Sequence, residues 1–323
     1  MIVCSLLDTM ATIDTNLMAS LKGSQFAEEA CSADTTSMYP LTDCYWAGRS
    51  AICDIVIAQS PAFGKVLFLD KEIQSAESDE ALYHEHLIHP IMNSRIAMKN
   101  KRVLIVGGGE GATAREVLKW SADSVAQVDW VDIDGALVDL CRQHLAWADD
   151  AVYNDPRLKF YAQDIRVFLH NAGDIMYDVI VLDLPDPDTD ALLEANETTD
   201  VLTCQLYSRT FWNMLKAHLS PAGAVVSHAG PISPGGDESQ RRAGLAWIRT
   251  AASDAGLGAG YPYHVTIPSF QGSWGFWMSV SPNPIISFPN GLRVMDEITQ
   301  ALAFTWPAYW HSPWFGHVRG GQN

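Results

Sequence analysis

The chain has 323 residues, 48% apolar and 18% charged, with a formal net charge of −17. This composition suits a globular protein with a substantial core, large enough for one α/β domain and a smaller companion. The negative charge keeps such a surface soluble and steers cations favourably, and it argues against nucleic acid and anionic membranes as partners. No run of about eighteen apolar residues marks a transmembrane helix. The opening "MIVCSLLDTMATID" lacks the basic region of a signal peptide. Cysteines at 4, 31, 44, 53, 141 and 204 form no CxxC pair, so neither a zinc site nor a disulfide framework is expected, and a cytoplasmic setting fits.

Residues 1–40 carry little pattern and read as a weakly ordered or peripheral N-terminal extension. Residues 41–97 read as a small antiparallel β domain with a linking helix: "AICDIVIAQS" and "GKVLFLDKEIQSA" alternate in β fashion around the turn "PAFG", and "SDEALYHEHLIHPIMN" is helical until Pro90 disrupts it. From residue 98 to 323 strands and helices alternate. "RVLIVG", "VAQVDWVDI", "LKFYAQD", "YDVIVLDL" and "AGAVVSHA" are strands; "ATAREVLKWS", "GALVDLCRQHLAW", "LYSRTFWNMLKAHL" and "ESQRRAGLAWIRTAASDAG" are helices. "YPYHVTI" and "WGFWMSVS" form a closing antiparallel pair. The alternation predicts a largely parallel sheet with helices on both faces, and such sheets bind ligands beyond the carboxyl ends of their strands.

The residues at those ends are acidic: Glu110 after the first strand of the large unit, Asp132 after the second, Asp164 after the third, Asp183 and Asp186 after the fourth. One acid there is a common helix cap. Five on one sheet edge repel one another unless something cationic or hydrogen-bonding offsets them. Asp132 stands 21 positions after Gly111, near the spacing at which an acid takes the ribose hydroxyls of a nucleoside. Gly107, Gly109 and Ala112 also fit a loose dinucleotide fingerprint, but Glu110 would repel a pyrophosphate. A nucleoside carrying a sulfonium resolves the conflict, which points to S-adenosylmethionine or its decarboxylated form. In "VLDLPDPD" Asp183 and Asp186 frame a stiff turn. They serve either as turn caps or as a base and clamp for an amine, which must lose a proton before it attacks.

The histidines in "HEHLIHP" do not match the H-E-x-x-H spacing of zinc proteases, and no metal is expected. The aromatic tail "FTWPAYWHSPWFGHV" suits packing or a subunit interface, and Cys141 suits the core.

Together "GGGEGATARE", "QSAESDEALYHEHLIHP", "VDID", "DLPDP" with "LYSRTFW", and "IPSFQGSWGF" resemble the spermidine synthase family of aminopropyltransferases, from about residue 45 to 282. "GGGEG", "YHE" and "IPSF…WGF" look more like the thermospermine/spermine-type branch, and "DLPDP" is similar to a bacterial subgroup often fused to membrane domains, of which this chain shows none. The resemblance implies a Rossmann-like, class I methyltransferase-type α/β sheet with a small N-terminal antiparallel β domain. It implies transfer of the aminopropyl group of decarboxylated S-adenosylmethionine to putrescine or spermidine, with release of 5′-methylthioadenosine, no prosthetic group, and a homodimer or homotetramer. Asp183 becomes the catalytic base, with Tyr83 positioning the attacking nitrogen. Gln74, His84, Gly107, Gly109, Glu110, Gly111, Asp132, Ile133, Asp164, Ile165 and Leu184 fall to the donor pocket, with Glu110 on the aminopropyl end, Asp132 on the ribose and Asp164 on the adenine amino group. Glu77, Asp186, His228, Phe270 and Trp274 fall to the acceptor side.

This sequence departs from the family pattern at Cys53, in place of a frequent Gln, and at His228, in "HAG" for "QAG". It also carries a longer, acidic connection over 188–205. If His228 lines the acceptor channel, its protonation repels a polyamine. Two other readings fit the residues: a methyl- or aminocarboxypropyl transferase using the intact donor, and a non-catalytic nucleoside- or polyamine-binding protein.

Overall fold

The structure, a computed structural model, describes residues 10–21, 25–32, 35–186, 202–232, 243–284 and 286–306. It opens with β1 (Thr12–Ile13), α1 (Thr15–Ser20) and a hairpin of β2 (Gln25–Ser32) and β3 (Thr35–Leu41). β4 (Asp43–Arg49), β5 (Asp54–Ser60), β6 (Gly64–Leu69) and β7 (Glu72–Ala76) join β1 in an antiparallel sheet ordered β1-β4-β5-β6-β7. The sheet thus reaches upstream of residue 41, since Thr12 pairs with Arg49. A two-residue strand has no period to read, which is why the sequence assigned this stretch to a peripheral extension.

Alternation along β5 gives the small sheet two buried faces. Ile55 and Ile57 pack with Cys53, Leu137 and Cys141, whereas Ala58 packs with Tyr39, Leu41 and Phe68 on the other side. The first cluster fastens the small sheet to the large unit.

α2 (Glu80–Ser94) runs through Pro90 rather than stopping at it. Proline cannot supply the N–H that the His86 carbonyl expects four residues on. The Tyr263 hydroxyl donates to that carbonyl at 2.9 Å instead, so the helix continues.

The large sheet is ordered β10-β9-β8-β11-β12-β14-β13, from β8 (Lys101–Gly107), β9 (Val125–Asp132), β10 (Leu158–Ala162), β11 (Tyr177–Asp183), β12 (Leu219–Ile232), β13 (Tyr261–Ile267) and β14 (Gly272–Met278). The first five strands in that order run parallel, and β14 and β13 close the sheet antiparallel. In β8, Leu104 and Val106 face one buried cluster and Val103 and Ile105 the other, which is the strand parity of a sheet covered on both faces. α3 (Ala112–Leu118), α4 (Gly135–His144), α5 (Asp150–Tyr153) and α6 (Ile165–Asn171) follow the first strands.

The helix expected over "LYSRTFWNMLKAHL" runs from Arg209 to Ala217, behind a separate short helix at Leu202–Leu206. Ser208 caps the longer helix, accepting from the Phe211 N–H at 3.2 Å. Most of the 188–205 connection and of the aromatic tail lies outside the described residues. No described helix is long and apolar enough to cross a membrane.

Candidate active site

The carboxyl edge of the large sheet collects the acids. β9 ends on Asp132 and β11 on Asp183, Asp164 caps α6, and Glu110 sits in the turn between β8 and α3. That turn, with Gly107, Gly109 and Gly111, is fixed to β11: the Gly108 N–H donates to the Asp183 carbonyl at 2.9 Å, and the Gly111 N–H to Gly108 at 2.9 Å. Gly107 has φ +81°, and a Cβ there would lie 2.0 Å from the Asp183 carbonyl oxygen, so only glycine lets the two chains approach.

Asp183 is held from two helices. The Tyr83 hydroxyl, on α2, donates to Oδ1 at 2.7 Å, and the Thr113 hydroxyl, on α3, donates to Oδ2. Burial and repulsion from Glu110 push its carboxyl up to about 6, against the pull of His84 and these two hydroxyls. Asp132 accepts from the Asp134 N–H at 2.8 Å. Burial, aided by repulsion from Asp134, Glu110 and Asp183, raises it to about 7 against the pull of the Asp134 N–H. Two raised carboxyls on one edge mark a pocket that favours an incoming cation or hydrogen-bond donor.

Glu110 is half-buried and paired with His84 Nε2 at 3.1 Å. The ligand atoms of His84, Glu110 and Asp183 lie within 4.8 Å of one another. A metal there would have to break the hydrogen bonds these atoms already make, whereas an ammonium can add to carboxylate lone pairs without displacing them. The other two histidines of "HEHLIHP" point elsewhere. His86 Nδ1 bonds the Leu82 carbonyl at 2.6 Å, and His89 Nε2 bonds Glu116 at 2.9 Å.

Asp164 accepts the Arg166 backbone N–H at 2.7 Å and the Arg166 Nε at 3.0 Å. Burial works against its carboxylate, but these bonds outweigh it and hold Asp164 below the usual range. Ile165 and Leu184 belong to the core cluster under this edge, and Ile133 is half-buried beside Asp132.

On the other side of Tyr83 stands an aromatic wall. Phe270 packs edge-on to Tyr83 at 6.2 Å between centroids and lies 4.6 Å from Trp274. Asp186 is half-buried, and His228 Nδ1 lies 3.5 Å from its Oδ1. Burial drives His228 down to about 4, so it is neutral at physiological pH and does not repel a cation there.

Gln74 lies on β7, the edge strand of the small sheet, and Glu77 just after it. Gln74 Nε2 faces the Glu72 carbonyl at 3.5 Å, and the exposed Glu77 accepts the Lys65 backbone N–H at 2.9 Å beside the β5–β6 turn. Cys53 Sγ lies 3.7 Å from Asp134 Oδ2, and burial and Asp134 push its thiol up to about 12. A cleft of about 1130 Å³ on the small sheet, lined by Asp14, Arg49, Asp54 and Phe68 among others, includes none of the acids of the sheet edge.

Sequence reading missed three contributors. Thr113 bonds Asp183. Glu80 lies one turn before His84 and bonds it, a pairing that i,i+4 spacing could have shown. Asp79 spends both carboxylate oxygens on Ser269, at 2.7 Å to the N–H and 2.8 Å to the hydroxyl. It thereby ties the turn that carries Phe270 to the start of α2, a long-range contact with no local signal.

A family model described as the spermine/spermidine synthase domain matches residues 80–290. Polyamine aminopropyltransferase 2 of Pseudomonas aeruginosa is 37% identical over 242 residues, covering 75% of this chain and 63% of the relative. A polyamine aminopropyltransferase of a Synechococcus strain is 37% identical over 251 residues, covering 77% and 74%. A thermospermine synthase of Arabidopsis thaliana is 35% identical over 253 residues, covering 78% and 68%. Among solved structures, spermidine synthase from Thermotoga maritima superposes with a TM-score of 0.70 at 20% identity, covering 96% of this chain and 98% of that one. A spermidine synthase in complex with the transition-state analogue AdoDATO gives 0.71 at 21%, with the same coverage. These last two establish a shared fold, a small antiparallel sheet beside a larger methyltransferase-type sheet. With the family model spanning most of the large unit and α2, the chain belongs to the spermine/spermidine synthase family.

Proposed function

We propose that the chain moves the aminopropyl group of decarboxylated S-adenosylmethionine to an amine of putrescine or spermidine and releases 5′-methylthioadenosine. The observation that carries this reading is Asp183, anchored by Tyr83 and Thr113 beside Glu110 on one sheet edge. The acceptor nitrogen attacks the methylene carbon bound to sulfur. A C–N bond forms, the C–S bond breaks, and its electron pair returns to sulfur, discharging the sulfonium. The proton of the attacking nitrogen passes to Asp183, whose raised pKa suits a base near neutral pH.

The other residues follow from their charge. Glu110 takes the ammonium end of the donor, and a donor keeping its carboxylate would be repelled there. Asp132 takes the ribose hydroxyls and Asp164 the adenine amino group. Asp186 holds the acceptor's ammonium while Phe270 and Trp274 pack against its methylenes. The large unit, from about residue 98, is the catalytic domain in this reading. The working protein is a homodimer or homotetramer in the cytoplasm, which sedimentation of the purified chain tests for its assembly. Turnover of the decarboxylated donor with putrescine or spermidine, detected as methylthioadenosine by mass, supports the reading. Turnover of the intact donor alone would overturn it.

A further inference from the structure

His84 faces acceptors on both sides. Its Nδ1 lies 2.7 Å from the Glu80 carbonyl oxygen and 3.0 Å from Glu80 Oε2, and its Nε2 lies 3.1 Å from Glu110 Oε1. A carbonyl oxygen can only accept, so Nδ1 carries a hydrogen. Nε2 and Glu110 then share one further proton, and its position decides whether the pair is an imidazolium with a carboxylate or two neutral groups.

Glu80 settles that position. It is 3% exposed and receives Arg115 at 3.2 Å and 2.8 Å, with Arg293 on the same carboxylate. Arg115 is itself fixed by the Trp147 carbonyl at 2.9 Å and by Glu116 at 2.8 Å. His84 and the bidentate Arg115 hold Glu80 ionised despite its burial, and an ionised carboxylate on Nδ1 in turn favours the charged ring. We propose that Glu80 is a positioning residue that holds His84 as an imidazolium against Glu110, and that this cation allows Asp183 to ionise and act as base inside a cluster of acids.

The surroundings of Asp183 show why it needs one. Glu110 from the glycine turn and Asp132 from β9 face it with like charge, and Asp186 from its own turn bears on the Tyr83 that bonds it. Tyr83 from α2 and Thr113 from α3 contribute only hydroxyls, and the nearby Tyr207 hydroxyl is spent on the Pro185 carbonyl. His84 from α2 supplies the positive charge in that set. The groups facing His84 are Glu80, Glu110 and Asp183. Burial alone would lower the ring, but the two carboxylates outweigh it and raise it to about 10, in line with the hydrogen-bond geometry.

The inference rests on Asp183 being the base, and the test separates the two. kcat is measured against pH at saturating donor and acceptor for the wild type, Glu80→Gln, His84→Gln and Asp183→Asn. Loss of the cation should move the acid limb to higher pH by roughly one unit in Glu80→Gln and His84→Gln. A merely structural role would lower kcat at every pH and leave the limb in place. That result in folded Glu80→Gln and His84→Gln overturns the proposal while leaving the base assignment intact. An unaltered profile in Asp183→Asn overturns the base assignment itself. If either variant does not fold, nitrogen-15 spectra of the histidine-labelled wild type at pH 7.5 decide: two protonated nitrogens on His84 support the proposal, and one bare nitrogen overturns it.

Discussion

Asp183 Oδ1 accepts a 2.7 Å hydrogen bond from the hydroxyl of Tyr83, across 100 residues of sequence. The bond joins the fourth parallel strand to a helix that precedes the sheet, and so holds the proposed base in one orientation. With Thr113 on Oδ2, each oxygen keeps lone pairs for an incoming amine. Asp183→Asn keeps this shape but accepts no proton, so methylthioadenosine release should fall about 100-fold to 10,000-fold. Donor binding, followed by calorimetry, should persist. Tyr83→Phe should cost about tenfold through lost orientation.

Gly108 sets the distance between the glycine turn and the Asp183 carboxylate. Its φ is +72°, and a Cβ would lie 2.7 Å from Asp183 Oδ2. Gly108→Ala should therefore lower kcat about 100-fold or more by displacing the carboxylate. Gly173→Ala is the control. Gly173 has φ +60° with nothing within 4 Å of its would-be Cβ, so that variant should lose only about 1–2 kcal/mol of stability in denaturant unfolding and keep its rate.

Asp132 links pH to stability. Its folded-state value, raised to about 7 by burial and neighbouring acids, lies above the unfolded value near 3.9. A raised acid contributes stability that is fully present below the unfolded value and is lost as pH rises through the folded one. Asp132→Asn removes that loss. The ligand-free variant should melt higher than the wild type, with a gain that grows from pH 4.5 to pH 8 and reaches about 3 °C or more. It should also bind donor poorly. An equal melting gain at both pH values would contradict the account.

The Phe270 ring stands between Tyr83 and Trp274, held by the bonds of Asp79 to Ser269. Phe270→Ala should raise the KM for the polyamine about tenfold through lost apolar contact, with a smaller effect on the KM for the donor. Parallel changes in both would place the ring elsewhere in the reaction.

The acid edge was legible because β-strand endings are local signals: Glu110, Asp132, Asp164 and Asp183 each follow a recognisable apolar run. Strand β1 was not, since two residues carry no period, and the passage of α2 through Pro90 depends on Tyr263, 173 residues away. The site's supporting bonds divide the same way. Glu80 and His84 share a helix face, whereas Thr113 with Asp183 and Asp79 with Ser269 are pairs that only the assembled fold brings together. Glu77 stands in a recognisable motif, but the bond its carboxylate takes from the Lys65 N–H beside the β5–β6 turn has no local signal.

The most direct measurement is methylthioadenosine release by the purified full chain, given decarboxylated or intact S-adenosylmethionine with a panel of putrescine, spermidine, cadaverine and agmatine, for the wild type and Asp183→Asn. Release from the decarboxylated donor with putrescine or spermidine, abolished by Asp183→Asn, is the expected result. Turnover of the intact donor alone, or release that survives Asp183→Asn unchanged, would contradict it.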